Sequence, residues 1–423
     1  MTSETPASVR AWWTAPVTLW GGFIAVHLWV SWLGLFGPGF PLGDISGVYT
    51  FWAGHAYAGD FIVGITTPWV YPIVALVPIL LSGVLGMANY VVVFLALVTL
   101  VDSIVFWFLI GSQRDARHAA AAWWWLALLV CLGPVSLGRI DAIATPIALL
   151  GLLFVLRHPR TAGALLALAA WVKVWPAALV GAALIAVRER KAVLLGTLIA
   201  SGAVAAIALV LGSGLNLISF VSQQTSRGVQ IESPAATAYL WQAALGVPQV
   251  GVYYDDQILT YQISAPGVEI VGALTTLLMA LVTIGLVALG IHGSRRGADQ
   301  RTVLFALALA FTVELIVFNK VGSPQFMGWL AAPLAVGIAY GMRELRIPAI
   351  VALVMAALTQ AIYPYGYDGL LRVEPFMLWL ITIRNLLEFV LLGLAVRMLW
   401  RAVVPGESGV RVEESPDVTT NKL

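Results

Sequence analysis

A succession of long apolar runs, nearly free of charge, constrains this chain more than any other feature. They fall at about 16–36, 69–83, 90–110, 120–132, 140–156, 162–187, 193–211, 270–291, 303–317, 326–340, 347–361 and 377–399. A spanning helix needs about 20 predominantly apolar residues, because backbone polar groups in hydrocarbon must be satisfied within the segment itself. The runs therefore predict an all-α polytopic membrane protein with roughly 10–12 transmembrane helices. A β-barrel would show short alternating segments instead. Composition agrees, since 60% hydrophobic residues with 10% charged exceed what a soluble surface tolerates. Seventeen Trp and twelve Tyr suit interfacial belts, and forty Gly with twenty-one Pro suit close helix packing and broken helices. A net charge of +2 offers no basic surface for nucleic acid, which is not expected as a partner. The single cysteine, Cys131, lies inside an apolar run and reads as a small buried hydrophobe, with no disulfide framework or thiol metal site.

Residues 1–15, with Arg10, read as a cytoplasmic N-terminus, 16–401 as one transmembrane domain, and the polar stretch 402–423 as a disordered cytoplasmic tail. Within the domain, 37–68 and the longer 213–267 read as outer loops. The basic segments "RERK" (188–191), "SRRGADQR" (294–301), "RELR" (343–346) and Arg397 to Arg401 belong together on the cytoplasmic side. "SQRDARH" (112–118) and "RHPR" (157–160) do not join them by simple alternation, so alternation leaves 84–187 unordered. One candidate for the break is 162–187, which Lys173 and Pro176 interrupt as if it were a re-entrant pair of half-helices. Short or broken helices are tolerated where they line a cavity instead of facing lipid.

No P-loop, dinucleotide fingerprint or metal-spaced histidine cluster is present, so neither a cofactor nor a metal is expected. Chemistry must come from isolated polar residues. An ionisable group at a helix centre costs about 2.5–3.5 kcal/mol on insertion scales and calls for a partner or a wet cavity. Asp102, Glu314 and His27 read as packing groups, and Arg384 with Glu388, spaced i,i+4, as a self-neutralising pair. In "GRIDA", Arg139 and Asp141 read equally as salt-bridged anchors or as groups facing a cavity. Lys173 sits mid-run between Trp171 and Trp175 with no acid within four residues. The nearest polar boundary is roughly ten residues away on either side, beyond the reach of a snorkelling lysine. It calls for a distant anion, and a phosphate in an embedded cavity is a natural one. "PLGDISGVYTFWAGHAYAGD" (41–60) carries Asp44, His55 and Asp60 between apolar runs. Asp44 could cap a short surface helix whose Val48, Phe51 and Trp52 face lipid, or could accept a proton.

These segments resemble the GT-C superfamily of glycosyltransferases that use polyprenyl-phosphate sugars, in particular the branch with the actinobacterial α-1,2-mannosyltransferases of phosphatidylinositol mannoside synthesis. "GDISGVYTFWAGHA" is similar to the family's first outer loop, and "TTPWVYPIVALVP" to its Tyr-Pro-Pro segment, with Ile73 in place of the second Pro. "TAGALLALAAWVKVWPAAL" resembles the Lys-x-x-Pro segment through Lys173 and Pro176, and "GSPQFMGWLAAPL" (322–334) a later Ser-Pro…Trp-Leu segment. The family's Gly-Gln-x-Asn is not found where "DAIATPIALL" begins. The resemblance implies a GT-C fold, a lipid-linked donor, commonly polyprenyl-phosphate-mannose, inversion at the anomeric carbon and no nucleotide-sugar site.

The residues meet the physical needs of such a transfer. A polyprenyl-phosphate donor keeps its chain in the bilayer, so it needs a laterally open cavity, a cation for the phosphate and a carboxylate for the acceptor hydroxyl. Asp44 is the expected base. Lys173, with Arg139, is the expected phosphate partner, and His55, Asp60, Asp141, Lys320 and Gln325 are expected around the substrates. Should Asp44 be only a cap, the base is to be sought at Asp60, Asp141, Asp255 or Asp256. The reading is an enzyme in a bacterial plasma membrane that passes a sugar, mannose first, to a glycolipid or lipoglycan on the extracytoplasmic side. A secondary transporter or lipid flippase is the alternative, but inverted repeats should give matched halves, and the long 213–267 loop is placed asymmetrically. A scaffold subunit would leave Lys173 unexplained.

Overall fold

The structure is a computed structural model that describes residues 12–111, 115–225, 228–256 and 258–403. Expectations that fall on 1–11, 112–114 and 404–423, including Arg10 and most of the tail, lie outside the described residues.

The chain is helical almost throughout. Helix α1 (Pro16–Phe36), with proline in its first turn, ends in a loop to a π-helical turn, Asp44–Tyr49, which runs directly into α2 (Thr50–Ala58). Next come α3 (Leu76–Leu81), α4 (Tyr90–Ile110), α5 (Ala116–Leu132), α6 (Asp141–Phe154), α7 (Pro159–Val172), α8 (Ala177–Ala186) and α9 (Arg190–Val210). Two short helices follow, α10 (Ser219–Thr225) and α11 (Thr237–Ala244), then strands β1 (Gly251–Asp255) and β2 (Thr260–Ser264). The chain continues with α12 (Val268–Arg295), α13 (Gln300–Val317), α14 (Ala331–Ala339), α15 (Arg346–Gln360), α16 (Tyr367–Leu371) and α17 (Pro375–Val403).

Eight of these helices, α1, α4, α5, α9, α12, α13, α15 and α17, are long and apolar enough to cross a membrane. The expected 10–12 included runs that fold as shorter apolar helices: α6, α8, and α14 with the 3-10 turn before it. These are enclosed by the bundle, where incomplete spans are tolerated. Helix α6, for example, buries nearly every residue.

The run at 69–83 is a correction. It forms a 3-10 turn and the six-residue α3, about 9 Å of helix, which cannot cross a bilayer. Its neighbourhood is tied to the far end of α9 instead: Ser213 donates to Gly64 O at 2.7 Å, and the Trp69 N–H donates to Ser219 Oγ at 2.8 Å. Helix α4 therefore starts at the end of the bundle where α1 stopped, and the ordering of 84–187 resolves. The basic segments near 115–118, 157–160, 188–191, 294–301 and 343–346 all gather at the opposite end. There Arg188 N–H reaches Gln300 Oε1 at 3.2 Å, Ser294 donates to Ile185 O at 2.9 Å, and Arg301 lies 5.8 Å from the Tyr340 ring centre.

The 162–187 run does break at Lys173, whose backbone is extended (φ −147°, ψ 136°) between α7 and α8. Pro176, lacking an N–H, follows at the start of α8. Helix α7 crosses α9 with backbones nearly touching. A Cβ at Gly163 would fall on Val193 O, and one at Gly196 on Arg160 O. Close glycine contact of this kind is a standard way to join helices in a bilayer, where hydrophobic burial between helices supplies little.

The 213–267 segment is folded. Strands β1 and β2 pair antiparallel from Gly251↔Ser264 to Asp255↔Thr260, the one sheet among the described residues. Val229, Ile231, Leu240 and Ile263 form a small core with Leu370, Leu378 and Ile381, which docks this lobe on α16 and α17.

Candidate active site

One turn at the start of α6 organises the site. Arg139 and Asp141, two residues apart, each bind a residue from a distant part of the chain. Arg139 Nε lies 3.1 Å from Asp44 Oδ2, and Asp141 Oδ2 lies 3.5 Å from Lys173 Nζ. The result is a compact array of two acids and two bases. Asp141 stands in the first turn of α6, where a negative charge is favoured by the helix dipole.

Arg139 is buried and nearly saturated. Besides Asp44, it donates to Pro41 O and Gly138 O (both 2.9 Å) and to the Tyr363 hydroxyl (2.9 Å). Burial works against its charge, but Asp44 and Tyr363 outweigh that and hold its pKa above the ordinary value. Four of its five N–H groups have partners among the described residues, so it chiefly orients Asp44. Asp44 itself keeps 37% of its side-chain surface open. Gly43 takes the N-cap position of the π-helical turn, and no side chain caps it, so the capping alternative for Asp44 is not what the structure shows. Such π-turns recur at functional sites. Tyr49, in the same turn, accepts the Ile140 N–H at 3.1 Å, locking the turn onto the start of α6.

Lys173 was expected to need a distant anion. It has a protein acid, Asp141, and its ammonium also lies 4.5 Å from the centre of the Tyr71 ring. The physical reason is tertiary: the break after α7 brings it to the start of α6, thirty-two residues earlier in the chain. The pair is long. Asp141 Oδ1 takes the Trp329 indole N–H at 2.7 Å, while buried Oδ2 has no hydrogen bond among the described residues. Trp329 in turn stacks on Trp175 at 5.3 Å. Segments 43–56, 66–78, 161–179 and 322–334 thus all contribute to one cluster, through Asp44, Tyr71, Lys173 with Trp175, and Trp329.

The remaining expected residues divide. Gln325 lines a small cavity of ≈ 20 Å³ together with Asp141, Asp102 and Thr145. Lys320 contributes its backbone carbonyl, which accepts the Gln230 N–H at 2.9 Å. His55 and Asp60 pair with each other at 2.8 Å on the surface, with no contact to the array among the described residues. Asp255 accepts from Gln262 at 3.3 Å in the hairpin. The groups read as packing do pack: His27 binds Asp102 at 3.0 Å, Thr283 donates to Glu314 at 2.6 Å, and Arg384 binds Glu388 at 2.6 Å.

Glu232 is the residue that sequence reasoning missed. It is 7% exposed, and its carboxylate accepts the Tyr367 hydroxyl while its carbonyl accepts from Arg384 at 2.6 Å. Burial pushes its pKa up to about 7 against the opposing pull of Tyr367, Arg384 and Arg139. Nothing in "QIESPAA" distinguishes it from any acid in a polar loop. Its position depends on Gly322, where a Cβ would strike the Glu232–Ser233 backbone. Among the described residues no three His, Cys, Asp or Glu side chains come together to hold a metal.

Eight helices long and apolar enough to cross a bilayer, with a paired charged array at the helix ends, define the class as a multi-pass helical membrane protein. Residues 69–318 match the model of Glycosyltransferase family 87, about three fifths of the chain, and the protein belongs to that family. It is a membrane glycosyltransferase. The matched stretch includes Arg139, Asp141, Lys173 and Glu232 and begins after Asp44. No curated protein matches the chain, and no solved structure does.

Proposed function

We propose that the protein transfers a sugar, mannose first, from a polyprenyl-phosphate donor to a glycolipid or lipoglycan acceptor at the extracytoplasmic face of a bacterial plasma membrane. The observation that carries this reading is the double ion pair Asp44–Arg139 and Asp141–Lys173 at the bundle end remote from the basic loops. Basic loops favour the cytoplasm, which supports an array on the outer side.

In the mechanism, Lys173 exchanges its long contact with Asp141 for the donor phosphate, with the Arg139 charge close by. The C–O bond to phosphate lengthens first, leaving positive charge on the sugar, and the phosphate departs as an anion that needs no proton. The acceptor hydroxyl attacks from the opposite face, and Asp44 takes its proton as the new bond forms. The base need not be strong when the sugar is already electron-poor, as in other inverting transfers. The prenyl chain is assigned in this reading to a groove on the side of the bundle. That groove, ≈ 490 Å³ between α1 and α4, is lined by Leu35, Val92, Leu95 and Leu100 together with the hydroxyls of Ser31, Thr99 and Ser103.

The test is to incubate the purified protein with radiolabelled polyprenyl-phosphate-mannose and a membrane lipid extract and to look for a labelled glycolipid. Product from wild type and none from Asp44→Asn supports the reading. Label that crosses the bilayer without a new glycosidic bond would overturn it.

A further inference from the structure

Four tyrosine rings form a continuous path from the open surface of the hairpin lobe to Arg139. Tyr254, on β1, is 45% exposed. Its ring centre lies 4.9 Å from that of Tyr261 on β2, Tyr261 lies 5.9 Å from Tyr367, and Tyr367 lies 5.0 Å from Tyr363. The Tyr363 hydroxyl then accepts from Arg139, which holds Asp44. Tyr261, Tyr367 and Tyr363 are each half-buried, and Glu232 stands beside the path on the Tyr367 hydroxyl. A purely structural contact between a hairpin and α16 would be served by Leu or Phe. Each of the four rings keeps part of its surface open, and a row of phenol-bearing rings suits a ligand with apolar faces and polar edges.

We propose that this tyrosine ladder is the acceptor subsite and that it holds a carbohydrate chain of several sugar units, with the terminal hydroxyl delivered to Asp44. Sugar rings present C–H faces that rest on aromatic rings and hydroxyl edges that pair with carboxylates and phenols. Glu232, buried behind the path, holds the Tyr367 hydroxyl and so fixes one of those phenols. The ladder's length implies that the acceptor is recognised over more than one residue, with Tyr254 contacting the unit farthest from the reacting end. The inference rests on reading the Asp44 cluster as the transfer centre.

Its test is binding without donor, so that it does not depend on turnover. Full-length protein in nanodiscs is titrated with decyl glycosides carrying one or four units of mannose or of glucose. Wild type should bind the four-unit glycoside of at least one sugar about tenfold more tightly than its one-unit counterpart, the scale of one or two aromatic contacts. Tyr254→Ala should erase that gain while leaving the one-unit affinity unchanged, and Tyr254→Phe, which retains the ring, should restore it. Equal affinities for both lengths across the panel, or a gain that survives Tyr254→Ala, would overturn the proposal. If Asp44→Asn fails to abolish transfer while this length dependence holds, the transfer centre is misassigned and the subsite stands.

Discussion

Asp44 and Arg139 meet with Oδ2 3.1 Å from Nε, and the acid is 37% exposed where the base is 6% exposed. One partner is partly open and the other is fixed in the protein, so the buried arginine orients the carboxylate proposed as the base. The arrangement also ties catalysis to stability, because removing the acid leaves a guanidinium in a buried place.

Asp44→Asn should therefore lower transfer by about two to four orders of magnitude, the scale of losing a general base. It should also cost about 1–3 kcal/mol of stability, below the figure for a fully buried pair because Asp44 is partly solvated. Adding Arg139→Gln should recover the thermal midpoint without recovering transfer. Asp60→Asn, on the surface beside His55, should change transfer by less than about twofold. A folded Asp44→Asn protein with near wild-type transfer would leave Asp44 only a structural role.

Lys173→Met tests the donor phosphate. Asp141 is 5% exposed and loses its counter-ion in this variant, so Lys173→Met alone should be less stable than wild type. Lys173→Met with Asp141→Asn should regain stability, since neither charge remains, yet bind polyprenyl-phosphate-mannose at least about tenfold more weakly. Donor affinity measured in nanodiscs decides: retained affinity in the double variant removes Lys173 from the phosphate site.

Glu232 gives a pH prediction with a definite sign. Its folded pKa of about 7 stands above the 4.5 of an ordinary glutamate. The folded state thus holds the proton more tightly than the unfolded state, and the resulting stabilisation is full below about pH 4.5 and is lost as pH rises through 7. Glu232→Gln keeps the acceptor oxygen for Tyr367 and removes the ionisation. Its thermal midpoint should match wild type near pH 4.5 and exceed it at pH 8. A gap that is constant with pH would mean that Glu232 does not titrate in this range.

Much of this was legible in the sequence, and the failures have physical causes. Apolar run length marked the spans because the bilayer sets that length. Pro176 marked the break at Lys173 because proline cannot continue a helix hydrogen-bond ladder. The run 69–83 misled because hydropathy does not register that Ile73 to Leu81 folds into less than two turns of helix beside a 3-10 turn. Asp44, Arg139, Asp141 and Lys173 were each visible as costly charges, but their pairing was not, since it is made by contacts between residues 32 to 95 positions apart. Glu232 carried no local signal at all, because its burial is produced by Gly322 and Tyr367 from other parts of the chain.

Gly163→Leu should disturb the site from a distance. The residue lies on α7, whose C-terminal end carries Lys173, and it meets the Val193 carbonyl with no room for a side chain. Forcing α7 away from α9 should lower the yield of folded protein and cost about 1–3 kcal/mol, the usual range for overpacking. Donor affinity should fall as well, because Lys173 moves with the helix. Size-exclusion profiles with thermal midpoints indistinguishable from wild type would mean that the crossing is looser than the structure has it.

Sidedness is testable by thiol labelling, with the sole native cysteine changed as Cys131→Ser. Ser46 and Asp256 are exposed at the bundle end that carries the array, whereas Glu344 is exposed at the basic end. Ser233, on the same lobe as Asp256, is fully buried and unsuited to labelling. In intact cells an impermeant maleimide should modify Ser46→Cys and Asp256→Cys, and should reach Glu344→Cys only after permeabilisation. The expectation follows from charge alone, because five basic segments converge on one end and such segments resist translocation. Should Ser46→Cys and Asp256→Cys react from opposite sides, α3 or a neighbouring segment must cross the bilayer, and Asp44 could not share a cavity with the hairpin lobe. If both react only after permeabilisation, the array faces the cytoplasm, and a donor presented at the outer leaflet could not reach Lys173.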